Sequence, residues 1–190
     1  MPSHDKKTLA YIIGIALGDG NLSNPNGRAI RLRITCDTQY KILIFKICRS
    51  IEKLLPNNKV SIYQRKKNYC DISCYSNKWE KWLGWKVGKG SKCEQNVKVP
   101  RWIKCSKRYS IECLRGLFES DGSVYKDRGY KMAIFVSSIP NLANDVFAMM
   151  KQLKFNPHMY MIMTTKRPRY NIRLSKNVDD FIRLTQIDKR

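Results

Sequence analysis

Apolar positions along the chain change between helical and strand spacing, and the same order of changes occurs twice. Residues 9–17 form a nearly unbroken apolar run, which predicts a helix from about Thr8, as its N-cap, to Gly18. Residues 1–7 are polar and are expected to be a loose leader, and the turn-rich residues 21–27 are expected to be a link. The apolar run is too short to span a membrane, and no signal-peptide cleavage site follows it.

The remaining elements follow from the same two periods. In the first half, alternation predicts strands at residues 28–37, 59–64 and 69–76, and helical spacing predicts helices at 39–55 and 78–85. In the second half, the patterns predict a short helix opening at Pro100, helices at about 110–120, at 141–153 and from Asn177, and strands at 130–137, 158–164 and 169–175. Residues 159–163 are apolar on both faces, so the pattern does not orient them.

The repeat predicts an α+β fold built from two halves of the order αββαββα, related by a pseudo-twofold axis. Asp71-Ile72 and Asn171-Ile172 fall at matching places in the two halves. We assign residues 1–86 to the first half, 87–100 to a linker rich in Gly and Lys, and 101–190 to the second half. Antiparallel sheets can leave one face exposed, so two sheets flanking the central helices would form one basic saddle.

The most specific repeat lies in residues 12–20 and 114–122, which are near copies of each other. Each copy carries small residues four positions apart, namely Gly14, Gly18, Gly116 and Ser120. Residues at this spacing share one helical face, and small side chains let two helices approach closely. We therefore expect the two motif helices to pack side by side and parallel. Gly20 and Gly122 are expected to stop the helices in the left-handed conformation.

Parallel packing brings Asp19 and Asp121 together, each at the negative pole of its helix. Two carboxylates at short range repel each other, so a positive group is expected beside them. A divalent cation would keep both groups ionised. Carboxylate oxygens, waters and phosphate oxygens suit Mg²⁺, for which Mn²⁺ can substitute.

The repeated G-x-x-x-(G/S)-D-G pattern resembles the paired signature of LAGLIDADG homing endonucleases in their single-chain form. The matching positions are Gly14, Gly18, Asp19, Gly20, Leu114, Gly116, Leu117, Asp121 and Gly122. Leu17 and Arg115 depart from the signature at positions where such proteins vary. The resemblance implies an intron-encoded, monomeric nuclease that makes a metal-dependent double-strand break with short 3′ overhangs in a long DNA site. It also implies that Asp19 and Asp121 are catalytic and that Gly18 and Ser120 belong to the metal site.

Composition agrees with a folded protein that binds a polyanion. Lys and Arg number 37 against 15 Asp and Glu, giving a net charge of +22, and the excess is spread through both halves. This distribution favours a long surface facing double-stranded DNA over a basic tail or a membrane-binding helix. Seven cysteines, an odd number without an export signal, indicate free thiols in a reducing intracellular compartment and not a secreted protein. Cys70 and Cys74 alternate with Ile72, which favours core positions over zinc ligands.

Strand alternation selects the residues expected to contact DNA, because strands fit the major groove, where Arg, Lys and Asn read bases. These residues are Arg31, Arg33, Tyr63, Arg65, Lys67, Tyr69, Lys126, Arg128, Lys131, Lys166, Arg167, Arg169, Asn171 and Arg173.

Residues 88–92 resemble the lysine-bearing stretch of intein-type members of the same family. Lys92 is the first candidate for a basic group at the scissile phosphate and Lys89 the second, while a flexible basic linker is the alternative. No equivalent lysine is evident after the second half, because the chain ends at Arg190. The two strand cuts are therefore expected to proceed at unequal rates.

Other functions on this scaffold remain open at the level of the sequence. An RNA maturase acting on intron RNA and a non-cleaving DNA-binding regulator would share the basic saddle but can lose the acids. Both acids are present here, which favours the nuclease. A zinc-dependent module lacks ligands, and intein splicing lacks a Cys or Ser at the start and a His-Asn pair at the end.

Overall fold

The computed structural model describes residues 3–66, 68–165 and 167–189. Its helices are α1 (Ser3–Asp19), α2 (Lys41–Leu54), α3 (Trp79–Leu83), α4 (Arg101–Lys104), α5 (Lys107–Ser120), α6 (Pro140–Gln152) and α7 (Val178–Thr185). Its strands are β1 (Gly20–Ser23), β2 (Arg31–Asp37), β3 (Val60–Lys66), β4 (Tyr69–Tyr75), β5 (Gly122–Asp127), β6 (Tyr130–Ser137), β7 (His158–Ile162) and β8 (Arg169–Leu174). The order confirms the predicted α+β fold of two αββαββα halves.

Each half contains one antiparallel sheet, with strand order β1-β2-β4-β3 in the first and β5-β6-β8-β7 in the second. The two central strand pairs have matching registers, since Ile34 lies opposite Ile72 and Phe135 lies opposite Ile172. All four of these side chains are fully buried. The inner faces of both sheets therefore pack on the helices, and the outer faces point away from the core.

Residues 9–17 of helix α1 are buried on every side, as expected for a helix segment that is apolar all round. Its closest neighbour is α5. A Cβ atom added at Gly14 would lie 2.2 Å from the carbonyl oxygen of Cys113, and one added at Gly116 would lie 2.3 Å from that of Tyr11. The two backbones are thus in direct contact, and only glycine fits at these two positions.

We expect Gly14→Ala to lower the free energy of unfolding by about 3 kcal/mol, because the added methyl group forces the two helices apart. Gly116→Ala should have a similar effect for the same reason. Chemical denaturation followed by circular dichroism measures both. Arg108→Ala, on the exposed side of α5, is the matched control and should change stability little. A loss below 1 kcal/mol in both glycine variants would contradict the close helix contact.

The prediction for the start of the first helix is wrong. The helix begins at Ser3, so Thr8 lies inside it and residues 3–7 are not a loose leader. Polar residues continue a helix without showing any apolar periodicity, which is why the pattern missed this part.

The prediction that Gly20 and Gly122 stop the helices in the left-handed conformation is also wrong. Neither has a positive φ, and each is the first residue of a strand. A Cβ atom at Gly20 would lie 2.5 Å from the carbonyl oxygen of Ala16, and one at Gly122 would lie 2.5 Å from Cα of Phe118. Glycine is required here because the chain turns back tightly against the helix that it leaves.

Of the remaining expectations for the fold, some are confirmed and others are wrong. Residues 21–23, which were expected to begin a turn-rich link, belong to β1. Cys70 and Cys74 are buried in the core, as predicted. Residues 159–163, which the pattern left open, are oriented by the register of β7: Tyr160 and Ile162 lie opposite Asn171 and Arg169 and share their face. Within the described residues, no helix has the length and apolar character needed to cross a membrane.

Candidate catalytic centre and nucleic-acid interface

The pairing of α1 with α5 brings two carboxylates to one end of the helix pair. Asp19 is the last residue of α1, and Asp121 is the C-cap of α5. A Cβ atom at Gly18 would lie 2.1 Å from Oγ of Ser120 and 3.1 Å from Oδ2 of Asp121. Both acids therefore lie where the C-terminal ends of the two helices meet. The partial negative charge of these helix ends disfavours the ionised form of both carboxyl groups.

Lys92 neutralises part of this negative field. Its ammonium group donates hydrogen bonds to the carbonyl oxygens of Ala16 (3.2 Å), Leu17 (2.7 Å) and Gly18, at the C-terminus of α1. Its Nζ also lies 5.9 Å from the ring centroid of Trp85. Lys89 lies exposed on the same loop.

Lys189 occupies the corresponding place at the second helix. It donates to the carbonyl oxygens of Ser120 (2.8 Å) and Gly122 (3.4 Å), and its Nζ lies 5.7 Å from the ring centroid of Tyr40. The expectation that the second half lacks a matching lysine is therefore wrong. The signal was present in the sequence, because Lys92 and Lys189 are separated by nearly the same interval as the two aspartates.

A buried network holds the segment that carries Lys189. Glu119 is fully buried and accepts hydrogen bonds from the hydroxyl of Tyr11 (2.7 Å), from Lys46 Nζ (2.6 Å) and from the backbone N–H of Asp188 (3.0 Å). Burial and the neighbouring Glu119 raise the pKa of Tyr11 above its ordinary value, so its hydroxyl remains a donor. Arg115 adds a bond of 3.2 Å to the carbonyl oxygen of Gln186. Lys189 is thus held in place by α1, α2 and α5 together.

Two clefts open beside the helix pair, each combining an acid from one half with the helix end of the other. We call the first the Lys92 cleft; it has a volume of about 400 Å³, and its lining includes Gly18, Lys92, Asp121, Val136 and Arg167. We call the second the Lys189 cleft; it has a volume of about 260 Å³, and its lining includes Asp19, Thr35, Tyr69, Ser120 and Lys189. The site is therefore duplicated, as the motif is.

Both aspartates reach solvent, yet their environment disfavours the charged form. Desolvation by the surrounding protein and then the charge of Asp121 raise the pKa of Asp19 to about 6, against the opposing effect of Lys189 and Lys92. Desolvation likewise raises the pKa of Asp121. Desolvation lowers the pKa of Lys92, although both aspartates oppose this shift. Burial therefore disfavours the charged form of both acids and of Lys92, in spite of the attraction between them.

This shift has a defined effect on stability. A carboxyl group whose pKa is raised by folding holds a proton that the unfolded chain releases, so the free energy of unfolding falls as pH rises from about 4 to about 6. Without divalent ions, Asp19→Asn should remove this fall and raise the melting temperature at pH 7.5. Mg²⁺ should raise the melting temperature of the wild-type protein but not that of the Asp19→Asn/Asp121→Asn double variant. Thermal unfolding at several pH values measures both, and a wild-type melting temperature independent of Mg²⁺ would contradict a cation at this site.

The donor set fits a hard cation that retains water. Among the described residues, no group of three or more His, Cys, Asp or Glu side chains is placed to hold a metal. The available oxygens are the two carboxylates and the carbonyl groups at the helix ends. In this structure the carbonyl oxygens of Gly18 and Ser120 accept hydrogen bonds from Lys92 and Lys189. Two carboxylates with several waters suit Mg²⁺ better than a softer metal.

The outer face of the first sheet carries the basic and aromatic residues predicted from alternation. Arg31, Arg33, Tyr63 and Tyr69 lie on it together with Asp71, and Arg65 reaches it from a bulge in β3. Asp71, which is only 7% exposed, accepts a bond of 2.7 Å from the Thr35 hydroxyl. Its Oδ2 lies 3.4 Å from Nε of Arg65 and 4.0 Å from Nε of Arg33. The face therefore contains a fixed cluster and not a set of loose charges.

The outer face of the second sheet matches the prediction only in β8. Arg169, Asn171 and Arg173 lie on it. Lys126 and Lys131 lie opposite each other on the other face, in line with Ala133 and Phe135 of the core, and Lys131 forms an ion pair with Asp179 of α7. Their predicted place on the outer face is thus wrong, because β6 carries apolar side chains on both faces and alternation did not identify the outer one. Their contact with DNA stays a prediction.

The remaining predicted contacts lie in turns. Arg128 is in the turn between β5 and β6, with a φ of 48°, and Arg167 lies between β7 and β8 at the Lys92 cleft. Lys67 and Lys166 fall outside the described residues.

The chain is a duplicated α+β protein with a central site that both halves share. The two motif helices pair at the centre, and an acidic residue lies at the end of each helix. Residues 108–187 match the model of the LAGLIDADG-like domain, and residues 8–73 match that of the WhiA LAGLIDADG-like domain. The chain therefore belongs to the LAGLIDADG family and carries both motifs.

Solved structures show the same fold. Mesophilic variants of the homing endonuclease I-DmoI superpose with a TM-score of 0.73 at 17% identity, covering 96% of this chain and 97% of that one. A crystal structure of I-DmoI in complex with DNA and Mn gives 0.70 at 17% identity, covering 97% of each chain. The N-terminal LAGLIDADG domain of DUF199/WhiA gives 0.64 at 16% identity, covering 100% of this chain and 88% of that domain.

A curated relative is a much longer protein. The tRNA-splicing ligase RtcB of Methanopyrus kandleri is 27% identical over 205 aligned positions, which cover 92% of this chain and 20% of that protein. The chain thus corresponds to about a fifth of the length of that ligase.

Proposed function

We propose that this protein is a site-specific DNA endonuclease that makes a Mg²⁺-dependent double-strand break, leaving short 3′ overhangs, in a long recognition site. The observation that carries the proposal is the duplicated site: each cleft pairs the acid of one half with a lysine fixed at a helix end. One acid and one lysine on each side of a pseudo-twofold axis suit the two antiparallel strands of a duplex.

Asp19 and Asp121 would hold the cation, whose chemistry when bound is to lower the pKa of a water molecule and to offset charge on the scissile phosphate. Their raised pKa values show that the folded site stores unfavourable carboxylate charge. A divalent cation would relieve it. The acids would also orient the attacking water by accepting its hydrogen bonds.

Lys92 and Lys189 would each donate to one scissile phosphate. Each ammonium group is held by helix carbonyl oxygens at the edge of its cleft, so it is positioned before the substrate arrives. Phosphate oxygens are stronger acceptors than backbone carbonyls because they carry charge. All three N–H groups of Lys92 are engaged by helix carbonyls, so a phosphate would replace one of these acceptors, whereas Lys189 donates to two carbonyls and keeps one N–H for the phosphate.

The two outer faces would contact the major groove on either side of the cut. Thr35 and Tyr69 line the Lys189 cleft and also lie on the outer face of the first sheet. Val136 lines the Lys92 cleft and lies on the outer face of the second sheet. A net charge of +22 supports contact with many phosphates. A single chain supplies both halves, so the protein would act as a monomer.

A second candidate is a DNA-binding protein on the same scaffold that does not cleave. The match of residues 8–73 to the domain model named for WhiA favours it. This candidate predicts tight DNA binding that does not depend on the two acids.

A randomised duplex library incubated with the protein and Mg²⁺ tests the proposal. We expect cleaved molecules that share one long sequence, and no product when EDTA replaces Mg²⁺. Binding of a shared sequence without any cleavage, with either Mg²⁺ or Mn²⁺, would favour the second candidate. Binding of RNA in preference to duplex DNA would overturn both and indicate a maturase.

A further inference from the structure

The two outer faces differ chemically although the two folds match. On the central strand of the first sheet, three successive outward residues are Arg31, Arg33 and Thr35. The register places Ile134 and Val136 at the positions equivalent to Arg33 and Thr35. Met132, the counterpart of Arg31, is buried, and its sulfur accepts a hydrogen bond from Arg173. One half therefore presents hydrogen-bond donors along its central strand where the other presents hydrocarbon.

In the first half, Asp71 organises the donors. It holds the Thr35 hydroxyl and faces Nε of both Arg65 and Arg33. Arg33 Nε is buried and makes no hydrogen bond at its distance of 4.0 Å, whereas Arg65 Nε is nearer to the carboxylate; both guanidinium groups still offer two terminal amino groups. Two parallel N–H donors match O6 and N7 of guanine in the major groove. Thr35, Tyr63, Arg65 and Tyr69 also line an open groove of about 670 Å³ on this face, which leaves room for base edges.

In the second half, Asn171 stands where the first half has Asp71. It lies between Val136 on β6 and Tyr160 on β7, and Ile134 is the next outward residue of β6. Asn171 is buried and its amide donates to the carbonyl oxygen of Arg169, so the half-exposed aliphatic side chains on β6 are the groups left to contact a base, and aliphatic groups gain by contact with the C5-methyl group of thymine. Arg169 and Arg173 flank this surface, so it keeps a positive charge suited to phosphates.

We propose that the DNA target is chemically asymmetric, with guanine read by Arg33 and Arg65 in the half-site under the first sheet and A·T pairs read through thymine methyl groups under the second. The inference rests on the proposed DNA-binding function. Thr35 and Val136 each line a cleft, so they face the bases nearest the cut, and Arg33 and Ile134 face those farther out.

Binding selection with the Asp19→Asn/Asp121→Asn double variant tests the inference without cleavage. The bound sequences should be rich in A·T on one side and carry invariant guanine on the other. Arg33→Ile should lower discrimination for guanine about 10-fold at one position of the G-containing half only. Equal base composition in the two half-sites would overturn the inference while leaving the proposed function intact. Failure to select any duplex would contradict the proposed function itself.

Removal of thymine methyl groups gives a second, independent readout on the selected duplex. Deoxyuridine in place of thymidine should weaken binding about 4-fold for each buried methyl group in the A·T-rich half. The same exchange in the other half is the control and should change the dissociation constant little. Equal losses in both halves would overturn the inference, because both faces would then contact methyl groups. No loss in either half would also overturn it and would favour a protein partner for the apolar face.

Discussion

Asp19→Asn and Asp121→Asn are each expected to lower Mg²⁺-dependent double-strand cleavage by about 10³-fold, the largest effect of any single side-chain change. Each carboxylate is the acid of its own cleft, and both lie at the crossing of α1 and α5. Losing one removes a charge that holds the cation, and such a loss costs several kcal/mol of transition-state stabilisation. Single-turnover cleavage of the selected duplex measures the loss.

The control for this prediction is binding. Because each substitution removes a negative charge from a surface that faces phosphates, the dissociation constant for DNA should stay the same or fall. Thermal stability should not fall either, since the repulsion between the two acids is relieved. A variant that binds normally and still cleaves at the wild-type rate would show that the acids are not catalytic.

Lys92→Met and Lys189→Met are expected to slow the cutting of opposite strands, each by about 10²-fold. One ammonium group is fixed in each cleft, and removal of a fixed donor to a developing charge has a cost of this size. Each variant should therefore accumulate a nicked duplex, and the two nicks should lie on different strands. Strand-specific end labels resolve the two rates.

Lys89→Met is the matched control, because Lys89 is exposed on the same loop as Lys92. It should leave both rates close to wild type. Lys92 and Lys189 also donate to the C-terminal carbonyl groups of α1 and α5, so denaturation curves are needed to show that their variants are folded at the assay temperature. Equal slowing of both strands by each variant would contradict the assignment of one lysine to each cleft.

Sequence patterns identified those parts of the fold that depend on local spacing. Strand β6 has the predicted bounds of 130–137, because its apolar run lies between turn residues on both sides. Which face of β6 points outward was not predictable, because side chains alternate between the two faces and both sets contain apolar residues. One set is every second residue from Tyr130 to Val136, and the other is every second residue from Lys131 to Ser137. The partner strands decide it, and their register depends on contacts distant in the sequence.

The candidate site was predictable where the motif repeats and not where the chain returns from a distance. The two aspartates follow from the repeat and from the preference of small residues for close helix contacts. Lys189 reaches the site only because Glu119 and Arg115 bind the segment before it, and these contacts span about 70 residues. No local pattern contains that information, although the near-equal interval to Lys92 would have suggested it.

The most direct test of the central claim is single-turnover cleavage of the selected duplex, labelled on both strands, by the wild-type protein with Mg²⁺ and with EDTA. Two equivalent clefts predict that both strands are cut at comparable rates with Mg²⁺, leaving 3′ overhangs, and that neither is cut with EDTA. Tight binding of the duplex with both strands intact, in Mg²⁺ and in Mn²⁺, would contradict the claim that the paired aspartates and lysines form a nuclease.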